Sequence, residues 1–151
     1  MSSKENIVWR SLSSNDFEKG YIALLSELST VGNVDKSAFL GRLHQLQQLP
    51  DYYILVAEDT NKSTVVASGT LLVELKFLHE CQSVGHIEDI IVSKLYRGLG
   101  LGKVLIETLV QEAKNRNCYK VILNCSPGNV GFYEKCNFVQ HELQMVQYFH
   151  K

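Results

Sequence analysis

The feature that most constrains this chain is a run of glycines set between a strand and a helix. Gly85-His86-Ile87-Glu88-Asp89-Ile90-Ile91-Val92 reads as a strand, and residues 104–114 carry Leu105, Leu109 and Ala113 at the i, i+4 spacing of an amphipathic helix. Between them lies Arg97-Gly98-Leu99-Gly100-Leu101-Gly102-Lys103. Glycines at a helix N-terminus let the backbone come close to a ligand and aim its free N–H groups, aided by the helix dipole, at an anion. Phosphate or pyrophosphate is the matching ligand, and an ordinary tight turn is the alternative. Two familiar phosphate motifs do not fit. The Walker loop requires Ser or Thr after its lysine, where Val104 follows Lys103. The dinucleotide fingerprint spaces its glycines as G-x-G-x-x-G, whereas Gly98, Gly100 and Gly102 recur every second residue.

The remaining pattern predicts an α+β domain. Residues 7–12 alternate as a first strand, and Ser13-Ser14-Asn15-Asp16 offers caps for a helix reaching about Leu28. Asp35 caps a second helix that ends before Pro50. Tyr52-Tyr53-Ile54-Leu55-Val56-Ala57 and residues 64–75 form a hairpin across a polar turn. After the glycine turn and its helix come a strand at 119–124, parallel to its predecessor, a short helix at 129–135 and a last strand at 138–148. Helices flanking a mixed sheet give an αβα arrangement, and residues 1–151 read as one domain.

Composition narrows the function. With 15 Lys+Arg against 16 Asp+Glu the net charge is −1, which lacks the concentrated positive charge that nucleic acid or an anionic membrane demands. No apolar run approaches the ~20 residues of a membrane span, and the N-terminus has no signal-peptide core, so a cytoplasmic location is expected. Cys81, Cys118, Cys125 and Cys136 form no C-x-x-C pair and are expected as buried thiols. The five histidines show no metal-ligand spacing, so no metal is expected.

Arg97-x-x-Gly100-x-Gly102 after an apolar strand resembles the acetyl-coenzyme A loop of the GCN5-related N-acetyltransferase superfamily. The segments Gly85-His86-Ile87-Glu88-Asp89-Ile90-Ile91-Val92, Cys118-Tyr119-Lys120-Val121-Ile122-Leu123 and Asn129-Val130-Gly131-Phe132-Tyr133-Glu134-Lys135-Cys136 are similar to its glucosamine 6-phosphate N-acetyltransferase branch. So are Thr30-Val31-Gly32 and Lys76-Phe77-Leu78-His79. The resemblance implies the superfamily's fold, acetyl-CoA as donor, a homodimer, and transfer of acetyl to the amine of glucosamine 6-phosphate in UDP-N-acetylglucosamine biosynthesis. Coenzyme contacts then fall to Ile90, Ile91, Val92, Arg97, Gly98, Leu99, Gly100, Leu101, Gly102, Lys103, Asn129, Phe132, Tyr133 and Lys135. The acceptor falls to Thr30, Lys76, Phe77, Leu78, His79, Glu88, Asp89, Ile90 and Asn124.

The implied roles make chemical sense. An amine attacks only after losing a proton, and Glu88 or Asp89 can receive it. Adjacent strand residues face opposite ways, so both reach one substrate only through the bulge that the superfamily places here. Tyr133 would donate to the departing thiolate. Three positions depart from the resemblance: Asn124 stands where relatives carry an acid, Met145 is followed by Val146-Gln147-Tyr148 rather than by an arginine near the phosphate, and Asn137 replaces the usual glycine after Cys136, a change that asparagine tolerates at positive φ. Other readings are the same chemistry on a different amine, and a coenzyme A sensor without turnover.

Overall fold

The computed structural model describes residues 4–150, so the expectation about the first three residues lies outside it. Five strands, β1 (Ile7–Ser11), β2 (Tyr52–Asp59), β3 (Thr64–Leu75), β4 (Ser83–Val92) and β5 (Cys118–Ile122), form one sheet in the order of the sequence. The first four are antiparallel, and β5 lies parallel to β4. The helices are α1 (Tyr21–Ser26), α2 (Lys36–Gln47), the single turn α3 (Leu78–Cys81), α4 (Leu101–Asn115) and α5 (Val130–Glu134).

Strand alternation sorts the core onto two faces. Leu55, Leu71, Val73 and Ile87 pack with Leu105, Leu109 and Ala113 of α4. On the opposite face Val56, Val65 and Ile91 pack with Tyr21 and Leu24 of α1 and Phe39 and Leu43 of α2. This is the αβα arrangement expected, and α2 has its Asp35 cap, which accepts from the Ala38 N–H at 2.8 Å.

Three expectations are corrected. The first helix does not run from residue 16, because Gly20 takes a left-handed φ of 81° and the α-helical turns begin only at Tyr21. Asp16 is instead a fully buried carboxylate, gripped by Arg10 at 2.6 and 2.8 Å and by the Ser13 N–H at 2.8 Å. The last strand is absent: residues 139–150 run exposed and without regular structure, since no strand of the described chain lies beside them. Among the thiols only Cys136 is buried, while Cys81 and Cys125 are exposed.

Burial by itself would raise the Asp16 pKa, but the Arg10 guanidinium and the Ser13 amide outweigh it and hold the carboxyl below its usual range. A lowered folded pKa contributes stability above the unfolded value of ~3.9 and loses it as pH falls through the folded value. Asp16→Asn should therefore cost about 3–5 kcal/mol in urea unfolding at pH 7 and flatten the loss of stability below about pH 4. An unchanged acid limb would show that Asp16 carries no such linkage.

Candidate active site

The site begins with a break in the β3–β4 ladder. Ser68 pairs with Ile91 and Thr70 with Glu88, so two residue steps on β3 answer three on β4. Asp89 is the extra residue, and its φ of 52° is left-handed. Such a conformation costs a non-glycine residue about 1–3 kcal/mol and gathers at functional sites. The bulge also resets the facing of the strand. Ile90 packs on the α4 side and Ile91 on the α1 side, while Glu88 and Asp89 are both exposed. Opposite them Gly69 leaves room for the core, because a Cβ there would lie 2.5 Å from the end of the Ile90 side chain and 2.9 Å from that of Leu109, and both would have to shift. Sequence reading did not single out Gly69; a glycine inside a β-branched strand was the available signal.

The second element is a gap between β4 and β5. Their pairing ends at His86 with Ile122, while β4 continues to Val92. Residues 87–92 therefore have no β5 partner on that edge. At the mouth of the gap, Gly98 and Gly100 take φ values of 80° and 76°, and Gly100 caps α4 without a side-chain hydrogen bond. The first N–H groups of a 15-residue helix are thus offered outward. Phe132 of α5 closes over Gly102, where an added Cβ would stand 3.2 Å from the phenyl ring and 3.7 Å from Val92. The structure therefore brings Val92, Gly102 and Phe132 together, with Arg97, Lys103, Asn129 and Lys135 exposed in the adjoining segments. Leu101 is buried in the core with Tyr96, so at that position the backbone is what a ligand could meet, while Leu99 is half-buried against them.

The turn before the glycines is held by two carboxylates that sequence reading did not single out. The buried Tyr96 hydroxyl donates to Asp59 at 2.6 Å. Glu27 accepts from the Lys94 N–H at 2.8 Å and from the Ser93 hydroxyl at 3.3 Å. Neither acid stands in a motif, and both act across more than 35 residues of sequence.

Tyr133 lies half-buried on the α4-side core, edge-on to Phe132 and Phe138. Burial pushes its phenol pKa up, aided by Cys125 and Cys136, so the hydroxyl stays protonated at neutral pH and can donate.

The acceptor-side residues are more scattered. Thr30 is exposed in the α1–α2 loop and Asn124 is exposed just past β5. Lys76 donates to Glu74 at 2.7 Å, which raises its pKa. Phe77, Leu78 and His79 are exposed, and His79, Glu80 and Cys81 are three successive left-handed residues. The His79 ring lies 4.0 Å from that of Tyr119, and the Lys120 ammonium sits 5.6 Å from the same ring. Lys120 is a cation in this neighbourhood that the motif reading passed over.

Comparison with known proteins agrees with this geometry. The model of the acetyltransferase (GNAT) family matches residues 19–138. The chain is similar to glucosamine 6-phosphate N-acetyltransferase 1 of Oryza sativa subsp. japonica, with 43% identity over 141 residues covering 93% of this chain and 86% of the relative. It is also similar to glucosamine 6-phosphate N-acetyltransferase of Candida albicans, with 42% identity, 94% of this chain and 95% of that one. The crystal structure of glucosamine-6-phosphate N-acetyltransferase from Arabidopsis thaliana superposes with a TM-score of 0.94 at 39% identity, covering 97% of this chain and 100% of that one. With its β4 bulge, its glycine-capped α4 and this match over most of its length, the chain belongs to the GNAT acetyltransferase family.

Proposed function

We propose that this chain, as one domain spanning residues 1–151, transfers acetyl from acetyl-CoA to the amine of glucosamine 6-phosphate, releasing N-acetylglucosamine 6-phosphate and CoA. The observation that carries the reading is the β4 bulge, which exposes two carboxylates beside a strand edge left open by β5. The residues present fit the donor. The glycine turn and the N-terminus of α4 would hold a pyrophosphate, the open backbone of Ile90, Ile91 and Val92 would pair with an extended amide-bearing arm, and Phe132 would cover it. When bound, acetyl-CoA supplies an activated acyl group as a thioester. Glu88 and Asp89, directly or through one water, take the proton that the acceptor's ammonium must lose before its nitrogen attacks. Tyr133 donates a hydrogen bond to the sulfur as negative charge builds there. Thr30, Lys76, His79 and Asn124 line the acceptor side in this reading, and the relatives' substrate supports the choice of acceptor.

The reaction belongs in the cytoplasm in this proposal, with small molecules as partners; the −1 net charge supports the second point, since it lacks the positive charge that a polyanion demands. No helix among the described residues is long and apolar enough to cross a membrane. A homodimer is part of the proposal. Val139, Leu143, Met145, Val146, Tyr148 and Phe149 lie exposed along residues 139–150, Leu143 at 92%, in a molecule whose β5 is an edge strand. A second copy would cover that apolar surface and give the unstructured segment a strand to pair with.

Three outcomes test these statements. Thiol release from acetyl-CoA should be faster with glucosamine 6-phosphate than with glucosamine or glucosamine 1-phosphate; equal rates, or none, would shift the reading to another amine. Tyr133→Phe should lower kcat by ~10²–10⁴ with CoA affinity nearly retained, whereas lost affinity would make the tyrosine a packing residue. Light scattering of the full chain should give a dimer mass, and truncation after Phe138 should return a monomer.

A further inference from the structure

The acceptor side contains a hydrogen-bonded chain of three charged or ionisable side chains. Glu74 accepts from the Lys76 ammonium through one carboxylate oxygen and bonds His86 Nε2 through the other, each at 2.7 Å. Lys76 and His86 are its two partners, and they pull its pKa down, Lys76 the more strongly. The side chains are about a quarter to two-fifths exposed, and the group lies open on the sheet rather than inside it.

Strand register fixes where the chain points. Directly opposed residues share a face of a sheet, as do residues two apart along a strand. Thr70 faces Glu88, Leu72 faces His86 and Glu74 faces Val84, so Glu74, His86 and Glu88 stand in one row on the same face. Ile122 of β5 is opposite His86, which puts that row beside the stretch leading to Asn124. Glu88 marks the end of the row where the amine is deprotonated, and Lys76 the end away from it. A ligand with an amine at one end and an anion at the other matches this polarity.

We infer that Glu74 and His86 are positioning residues that hold Lys76 for the phosphate of the acceptor, and that this chain of side chains selects the phosphorylated sugar over the free one. The inference rests on the acetyl-acceptor reading above. An ammonium has three donors. Glu74 occupies one and fixes the direction of the flexible four-carbon stem, leaving two for phosphate oxygens. A lysine without this anchor would order itself only on binding, at a cost of rotamer entropy. His86 anchors the carboxylate in turn, holding the oxygen that Lys76 does not use.

The test uses the full-length chain and compares glucosamine 6-phosphate with glucosamine as acceptors, each with saturating acetyl-CoA. The quantity read is the ratio of their kcat/KM values. Glu74→Ala should lower that ratio about tenfold, the loss of a charge-assisted hydrogen bond, and the change should fall on the KM for the phosphorylated sugar. His86→Gln should lower it in the same direction, and Glu74→Gln, which keeps one acceptor oxygen for Lys76, should fall between wild type and Glu74→Ala. Should Glu74→Ala not fold, judged by its thermal transition, Glu74→Gln and His86→Gln decide the matter. Equal losses on both sugars, or an unchanged ratio, overturn the inference while leaving the acceptor reading intact. Wild-type protein that acetylates neither sugar overturns the acceptor reading, and the inference with it. Lys76→Ala with an unchanged ratio shows that the phosphate lies elsewhere, and overturns the inference alone.

Discussion

The bulge at Asp89 is the constraint on which the site depends. One extra residue in β4 opposite Gly69 turns the strand, exposes two adjacent carboxylates and returns Ile90 and Ile91 to the two cores. The left-handed backbone at Asp89 is unfavourable, and the surrounding structure holds it in place. Ile90 fills the space that a side chain at position 69 would take, against Leu105 and Leu109 of α4. Core packing thereby enforces a geometry that the strand would not adopt by itself.

The same packing connects the two halves of the site. Helix α4 supports the bulge through Leu105 and Leu109, and its N-terminus carries the glycine turn. A single rigid element therefore sets the distance between the carboxylates and the glycine-capped end of the helix. The turn ahead of it is tied to β2 by Tyr96 and Asp59 and to the end of α1 by Glu27. The sheet and the α1 layer are thus each fastened by a carboxylate to the segment ahead of the glycine turn.

Much of this was legible in the sequence, because the signals were local. Glycines at 98, 100 and 102 between a strand and an amphipathic stripe specify a turn and a helix, and Asp35 three residues before Ala38 specifies a cap. Residues that act at a distance were not legible. Asp16 reads as part of a helix-capping run, yet it is buried against Arg10, and nothing in its neighbours announces that pairing. Asp59, Glu27 and Glu74 are ordinary surface acids by composition and acquire their roles only through register and loop placement. The segment at 138–148 alternates well enough to read as a strand, but alternation reports facing and not the presence of a neighbour.

The opening between β4 and β5 has an evolutionary consequence. Along residues 90–92 the side chains serve the cores while the backbone edge is what a donor would meet. Substitution among apolar residues there changes packing and leaves the row of N–H and C=O groups as it was. Proline is the exception, since it removes a donor. Lineages can therefore drift in the composition of this strand, and repack around it, while keeping the same coenzyme. The acceptor end would enjoy no such insulation: in the proposed reading its recognition falls to side chains on the sheet face and in the loop after β3, so each replacement there would be a change of diet.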